Sequence, residues 1–236
     1  LAPQLRQSWP FSGGYKALVD AQECQATRAC IQSCRFDAIH TTDRQGRSPS
    51  VVDALECEGC GVCTLVCPTG AVTMVPAVSG TWYVSDTRHG PMVHARLAVA
   101  GENSGKLVSL VRREARAVAA AAGRNMLLVD GSPGIGCPVI ASITGARMVL
   151  IVAEPTLSGL HDMLRVAELT GHFGIRGAVC INKADINPRI TGRIEQEAKN
   201  LGLPVLGRIR YDPQVTEAQV LGLSVVEHGN GPAAQD

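Results

Sequence analysis

The sequence has few aromatic residues, no strong excess of either charge and no long apolar run. Of its 236 residues, 3% are Phe, Trp or Tyr, and 22 Lys and Arg stand against 21 Asp and Glu. A basic or base-stacking surface for nucleic acid is therefore not indicated. No apolar stretch reaches 18 residues and no signal peptide pattern opens the chain, so we predict neither a membrane span nor secretion and expect a cytoplasmic protein.

Cysteine, by contrast, is abundant, and seven of the nine cysteines lie between Cys24 and Cys67. A C-x2-C-x2-C-x3-C-P run begins at Cys57, and this spacing of cysteines is that of bacterial ferredoxins. Gly59 and Gly61 supply the backbone freedom that such a tight curl needs. Zinc sites usually pair two C-x2-C knuckles across a longer gap, and disulfide frameworks are typical of secreted chains. The run therefore favours an iron–sulfur cluster over zinc or disulfides.

An incomplete copy of this run lies upstream, where Thr27 stands in the place of one cysteine. Both copies end in Cys-x3-Ala followed by Ile39 or Val72, which predicts a pseudo-twofold pair with a short helix after the last cysteine and then a strand. In bacterial two-cluster ferredoxins the last cysteine of each run ligates the other cluster. The same crossing here predicts a complete set, Cys34, Cys57, Cys60 and Cys63, and a three-cysteine set, Cys24, Cys30 and Cys67.

Thr27 makes the two predicted sites unequal. A hydroxyl is a poorer iron ligand than a thiolate, because its oxygen is hard and its pKa is far higher. We therefore expect a 4Fe-4S cluster in the complete set, and a 3Fe-4S cluster or a labile 4Fe-4S cluster in the three-cysteine set.

The second half of the sequence alternates helical and strand patterns. Near-continuous aliphatic strands separated by helices predict an α/β fold, with a mostly parallel sheet covered by helices on both faces, beside a small α+β ferredoxin-like domain. The predicted helices are 106–122, 138–145, 158–171, 188–201 and 213–221, and the predicted strands are 125–130, 147–153, 177–182 and 204–209. Ligands of such sheets bind at the carboxyl ends of the strands. Asp130, which ends a strand before a glycine-rich turn, suits the holding of Mg²⁺ near a nucleotide phosphate.

Three motifs carry a resemblance to a known family. They are Asp130-Gly-Ser-Pro-Gly-Ile-Gly-Cys137, Val152-Ala-Glu-Pro-Thr156 and Ile181-Asn-Lys183. Together they resemble the MinD-type deviant P-loop ATPases, and specifically the subfamily with an inserted two-cluster ferredoxin domain. The resemblance spans nearly the whole chain.

The resemblance implies a nucleotide held between two subunits, hence a homodimer or a pair with a paralogue, with ATP and Mg²⁺ as cofactors. It makes Asp130 the catalytic residue of a turn that senses the γ-phosphate, with Gly134 in the same turn, and it lets Asn182 contact the base. Asn182-Lys183-x-Asp185 also resembles the guanine-reading motif of GTPases, in which the residue at Asp185 binds the base. ATP and GTP therefore both stay open.

The phosphate-binding loop of that family, Lys-Gly-Gly-x-Gly-Lys-Thr/Ser, does not occur. The most similar stretch runs from Gly101 to Leu107, with three residues between its glycines where a P-loop has four, and Leu107 where the Mg²⁺-binding hydroxyl belongs. We expect the family loop to precede Leu1, so that the intact protein is an ATPase and this fragment is inactive. Cys137 has the spacing of a cluster ligand in nitrogenase iron proteins, but the apolar helix after it favours a buried, inert thiol.

The predicted organisation is a lead-in at 1–14, a two-cluster ferredoxin-like domain at 15–76, a connecting β-hairpin at 77–100 and a partial MinD-type domain at 101–236. The leading hypothesis is an iron–sulfur protein that couples ATP binding or hydrolysis to electron transfer, with a redox partner protein, or to cluster delivery. One alternative is an electron carrier or cluster scaffold with an inactive nucleotide fold. A further alternative is an ATP-dependent amide ligase of the cobyrinic-acid a,c-diamide synthase type.

Overall fold

The computed structural model describes residues 3–43, 45, 47–98 and 105–236. The chain divides into two compact units: the first comprises Leu1–Arg6, Ser85–Val93 and Ser104–Asp236, and the second Gln7–Val84 and His94–Asn103. Among the described residues, no helix has the length and apolar character needed to cross a membrane.

The first part of the chain forms two small sheets and two short helices. In order, the elements are β1 (Gln4–Val19), α1 (Ala29–Ser33), β2 (Ile39–Thr41), β3 (Ser50–Val52), α2 (Val62–Val66), β4 (Val72–Thr87) and β5 (Gly90–Leu97). One sheet has the order β1-β4-β5, and β2 pairs with β3 in antiparallel fashion.

The strands in this part of the chain differ from the predicted bounds. The predicted lead-in at 1–14 contains most of a strand, because β1 begins at Gln4. As an edge strand it tolerates Pro10, which has no N–H to donate to a neighbour. Within the stretch predicted as a connecting β-hairpin, 77–100, β4 continues to Thr87 and β5 starts at Gly90, so the turn between them is short. The Thr87 hydroxyl closes this turn by donating to the Gly90 carbonyl oxygen at 2.8 Å.

The second part of the chain is helical with a parallel sheet, as predicted. The elements are α3 (Gly105–Ala121), α4 (Cys137–Ile143), β6 (Met148–Ala153), α5 (Leu157–His172), β7 (Arg176–Asn182), α6 (Pro188–Asn200), β8 (Val205–Ile209), α7 (Gln214–Val220), α8 (Val225–His228) and α9 (Pro232–Gln235). β6 and β8 both run parallel to β7. All five helices and three of the four strands predicted in this half are confirmed.

The core of this part lies between the sheet and α5 and α6. Leu160, Met163 and Ala167 recur at helical spacing and are buried on α5. α5 starts where the Thr156 hydroxyl accepts a hydrogen bond from the Gly159 amide at 2.9 Å, and α6 starts at an equivalent cap, Asn187. The opposite face of the sheet carries exposed apolar side chains, Met148, Leu150, Val152 and Leu206.

The strand predicted at 125–130 is not formed. Residues 124–132 belong to no helix or strand, and Met126 and Leu128 are 79% and 88% exposed. A strand exists only where a neighbouring strand takes up its N–H and C=O groups. Within the described part of the chain this segment pairs with no strand of the β6-β7-β8 sheet.

Candidate functional site

The two cysteine loops have the same local structure, displaced by 33 residues. α1 and α2 are both five residues long, follow a left-handed residue, Arg28 (φ 67°) or Gly61 (φ 77°), and end at an extended cysteine, Cys34 or Cys67. The predicted internal repeat is therefore present in the structure. The predicted position of its helix is wrong, because each helix precedes the last cysteine of its run instead of following it.

Hydrogen bonds outside the cysteine runs obey the same repeat. The Asp20 amide donates to the Ala71 carbonyl oxygen and the Asp53 amide to the Ala38 carbonyl oxygen, both at 2.8 Å. Each aspartate also accepts, through Oδ1, the amide two residues later. These crossed bonds join the start of each copy to the end of the other, and they place the repeat boundary four residues before the first cysteine.

The incomplete copy keeps the curled backbone without the glycines. Ala26 (φ 54°) and Asp37 (φ 52°) occupy the positions of Gly59 (φ 68°) and Gly70 (φ 69°). A left-handed conformation costs a residue with a Cβ roughly 1–2 kcal/mol. The fold of the whole repeat therefore imposes the cluster-binding backbone on the first copy.

The cysteines of both copies share one apolar cluster. Cys30, Cys57 and Cys63 are buried in it, and Cys34 and Cys67 pack against it. Cys24 is half-buried and Cys60 is exposed, as is Thr27, its counterpart in the repeat. Burial raises the pKa of Cys63, and the nearby thiols of Cys57 and Cys60 raise it further.

The β1 strand holds the loop of the second copy. A Cβ on Gly59 would overlap the carbonyl oxygen of Tyr15, so the close approach of these two backbones requires glycine. The next residue of β1, Lys16, donates from its ammonium group to the carbonyl oxygen of Cys57. The sequence gives no sign of either contact, because about 40 residues separate the partners.

Two hydroxyl groups touch cysteine sulfurs. The Sγ of Cys30 lies 3.5 Å from the Oγ of Ser50, and the Sγ of Cys67 lies 3.5 Å from the Oγ1 of Thr69. The hydrogen bond with Thr69 lowers the pKa of the Cys67 thiol. The cysteine spacing predicts a role for neither Ser50 nor Thr69.

These residues fit an iron–sulfur cluster. All nine cysteines are free thiols. In the part of the chain that the structure describes, no three Cys, His, Asp or Glu side chains converge on a point where they could share one metal ion, as a zinc site requires. A 4Fe-4S cluster requires a different arrangement, because its four thiolate ligands bind four different iron atoms and therefore lie further apart, around the cluster. Curled loops that end on a shared apolar cluster meet that requirement.

The carboxyl ends of the parallel strands carry a second group of polar residues. Lys183, which follows β7 in a left-handed conformation (φ 54°), forms an ion pair of 2.7 Å with Glu154 at the end of β6. The carboxylate of Asp185 accepts the Tyr211 amide at 2.7 Å, beyond β8. Asn182 is the last residue of β7 and is half-buried. Asn182 and Asp185 thus lie on the predicted edge of the sheet.

Asp130 and Gly134 lie in the segment between α3 and α4. Both are exposed, and Gly134 has φ +82°, which favours glycine. Residues 101–104 of the P-loop-like stretch lie outside the described residues. Cys137 is the first residue of α4 and is exposed, so the expectation of a buried thiol is wrong.

Part of this chain is similar to known proteins. Residues 23–71 match the family described as 4Fe-4S dicluster domain. Two curated relatives come from Methanocaldococcus jannaschii. An uncharacterised protein is 30% identical over 166 residues, 70% of this chain and 55% of that protein. An uncharacterised ATP-binding protein is 28% identical over 120 residues, 47% of this chain and 42% of that protein.

The chain spans about half the length of these curated relatives. Among solved structures, the MinD cell division protein of Aquifex aeolicus is similar, with 20% identity, a TM-score of 0.49 and coverage of 65% of this chain and 64% of that one. Residues 23–71 of this chain are thus similar to a 4Fe-4S dicluster domain.

Proposed function

We propose that nucleotide binding at the carboxyl edge of the parallel sheet controls electron transfer, or cluster delivery, from the dicluster domain. The observation that carries this proposal is the doubled cysteine loop. Its two copies have the same backbone conformation and pack into one apolar cluster. In this proposal the complete set holds a 4Fe-4S cluster. The three-cysteine set holds a 3Fe-4S cluster or a labile 4Fe-4S cluster.

A bound 4Fe-4S cluster supplies one-electron chemistry. The chain's own part is to hold the thiolates and to exclude water from them. Ala38 and Ala71 are 1% and 2% exposed, and the next residue of each copy, Ile39 or Val72, is also buried. Cys60 reaches the surface, so a redox partner protein that docks there would exchange one electron over a short path.

Asp130, in the segment between α3 and α4, is our candidate for holding Mg²⁺, with Gly134 beside the γ-phosphate and Asn182, at the end of β7, at the base of ATP. No hydrogen bond from another described residue engages the Asp130 carboxylate, and its exposure leaves it accessible to a hydrated cation. The proposal includes a second subunit, a copy or a paralogue, that closes over the nucleotide.

The test uses anaerobically reconstituted protein in the longest form that its gene encodes. We expect MgATP to shift the reduction potential or the EPR spectrum of a cluster, and Asp130→Asn to abolish that response without loss of iron. Asp162→Asn serves as the comparison variant, because Asp162 is an exposed aspartate of α5 to which the proposal gives no role, and it should leave the response intact. Identical spectra and potentials with and without MgATP would contradict the coupling.

An electron carrier or cluster scaffold with an inactive nucleotide fold is the second candidate. The contacts of Lys183 with Glu154 and of Asp185 with Tyr211 favour it, since groups that could read a base are engaged within the chain. Calorimetric titration with MgATP and MgGTP separates the two candidates. If fully cluster-loaded protein binds neither nucleotide, the result would support the electron carrier or cluster scaffold.

A further inference from the structure

The hydroxyl of Ser50 lies at a sulfur of the three-cysteine set. Ser50 opens β3, where it pairs with Thr41 of β2, and its side chain is turned inward, with the residue 4% exposed. Its Oγ is 3.5 Å from the Sγ of Cys30, which is 7% exposed. Because a buried hydroxyl without a partner is costly, this contact is a significant part of the local structure.

The hydroxyl of Thr69 lies at another sulfur of the same set. Thr69 is half-buried in the turn after α2, and its Oγ1 is 3.5 Å from the Sγ of Cys67. Cys67 is the cysteine that crosses from the second copy to complete the site of the first. Two of the three thiols in the set with Thr27 therefore have a hydroxyl at hydrogen-bonding distance from sulfur.

The internal repeat shows that this arrangement is not a by-product of the fold. The counterpart of Thr69, 33 residues earlier, is Phe36, which has no hydroxyl to offer Cys34. Ser50 belongs to the hairpin between the two copies. Among the described residues, both hydroxyl contacts with cysteine sulfurs are at the site that lacks a fourth cysteine.

We propose that Ser50 and Thr69 donate hydrogen bonds to the ligating sulfurs of Cys30 and Cys67, and so raise the reduction potential of the cluster in the three-cysteine set. This inference rests on the cluster assignment made under the proposed function, but not on nucleotide coupling. When a thiol becomes a ligand it releases its proton to solvent, so the sulfur can only accept, and the hydroxyl becomes the donor.

The direction of the effect follows from charge. A hydrogen bond to a ligating sulfur stabilises the more negative, reduced cluster more than the oxidised one. The buried position of Ser50 and Cys30 strengthens this preference, because the surrounding dielectric constant is low. Removal of either hydroxyl should therefore lower the potential of this cluster and leave the cluster of the complete set unchanged.

The experiment is an EPR-monitored redox titration of anaerobically reconstituted protein without nucleotide. The parent protein is compared with Ser50→Ala, Thr69→Val and the double variant. The signal that changes in Thr27→Cys identifies the cluster of the three-cysteine set. We expect that signal to titrate at a more negative potential in each single variant and at the most negative in the double variant, with iron content unchanged.

Matched controls separate hydrogen bonding from packing. Thr64→Val makes the same substitution in α2, where the hydroxyl donates to the Gly61 carbonyl oxygen at 2.7 Å, and should shift neither signal. Ser50→Thr and Thr69→Ser keep a hydroxyl and should keep the parent potential. Unchanged potentials in Ser50→Ala and Thr69→Val, equal shifts of both signals, or parent protein that assembles only the complete-set cluster would each overturn the proposal.

Discussion

At the scale of single residues, the first cysteine copy is strained where the second is relaxed. Ala26 and Gly59 have nearly the same φ, but only glycine adopts it without cost. The strain persists because crossed hydrogen bonds and a shared apolar cluster hold both copies in one shape. The backbone of the incomplete site is thus maintained although its glycines and one cysteine are absent.

Replacing Ala26 by glycine should stabilise the protein. The change relieves roughly 1–2 kcal/mol of left-handed strain and forfeits about 0.4–1 kcal/mol, because glycine is freer in the unfolded chain. We expect a higher thermal midpoint at a fixed scan rate. Gly61→Ala is the mirrored control, since its φ is +77° and an added Cβ meets no atom within 4 Å. It should lower the midpoint, and shifts of the same sign in both variants would contradict the strain argument.

Completing the ligand set tests the role of Thr27. Thr27 is exposed, as Cys60 is, so a cysteine side chain fits at position 27 without repacking. Thr27→Cys should raise the iron content per chain, or slow iron loss to a chelator, and should remove any three-iron EPR signal from the oxidised protein. Equal iron content, equal chelation rates and identical spectra would show that both sites are already equivalent.

The residues that carry the chemistry differ in how far the sequence reveals them. The cysteines are found by spacing, because the cluster dictates short, fixed intervals along the chain. Lys16, Ser50 and Thr69 are missed, because a single hydroxyl or ammonium group has no spacing signature. Lys16 and Ser50 meet their partners only when distant segments come together, whereas Thr69 contacts Cys67 within one turn, through a rotamer that spacing does not reveal.

At the scale of elements, α4 depends on one arginine. α4 has seven residues, too few for a stable isolated helix. From α3, which packs against it, the Arg112 guanidinium donates to the carbonyl oxygens of Ala141 and Thr144 at the end of α4, at 2.5 and 2.8 Å. Burial lowers the pKa of Arg112, and Arg116 nearby adds to that effect.

Arg112→Met should therefore loosen α4. Losing charged hydrogen bonds to these carbonyl groups costs about 1.5–3 kcal/mol. We expect faster amide hydrogen exchange across 137–143, measured by mass spectrometry. Arg113→Met is the matched control on the same helix, because Arg113 is exposed and forms an ion pair with its neighbour Glu114, a contact of little energetic value. Unchanged exchange of α4 in Arg112→Met would rule out this role.

Elements are predictable where the sequence pattern and the local environment agree. α5 and α6 are found because caps and apolar spacing coincide, and β6, β7 and β8 because aliphatic runs lie between them. β1 is missed because Pro10 and its glycines conceal a strand that a neighbour supports. The strand at 125–130 is predicted from the same aliphatic signal as β6, yet that signal cannot report whether a partner strand is present.

At the scale of the whole molecule, long-range polar contacts tie the C-terminal helices to the β4–β5 turn. Arg88, in that turn, donates to the Gly222 carbonyl oxygen at 3.0 Å and pairs with Glu227 at 2.7 Å. Glu227 also completes a capping box with Ser224 at the start of α8. One carboxylate thus joins two regions that are more than 130 residues apart in sequence.

The ionisation of Glu227 makes this tie dependent on pH. The amide and hydroxyl of Ser224 donate to its carboxylate, and together with the charge of Arg88 they lower the pKa of Glu227 from an ordinary 4.5 to about 2. A depressed pKa in the folded state means that the contribution to stability is fully present above pH 4.5. It is lost as the pH falls from 4.5 towards 2.

We therefore expect the segment from Ser224 onward to loosen across that pH range. Carboxyl-carbon NMR should give a midpoint near 2 for Glu227, and Ser224→Ala should raise it more than Arg88→Gln, since the contacts with Ser224 dominate. Pepsin cleavage within 224–236 should accelerate as the pH drops. Glu227→Gln corrects for the enzyme's own pH profile, because it has no carboxylate to titrate. A midpoint near 4.5, or parallel cleavage profiles in both proteins, would mean that Glu227 does not hold the C-terminal helices.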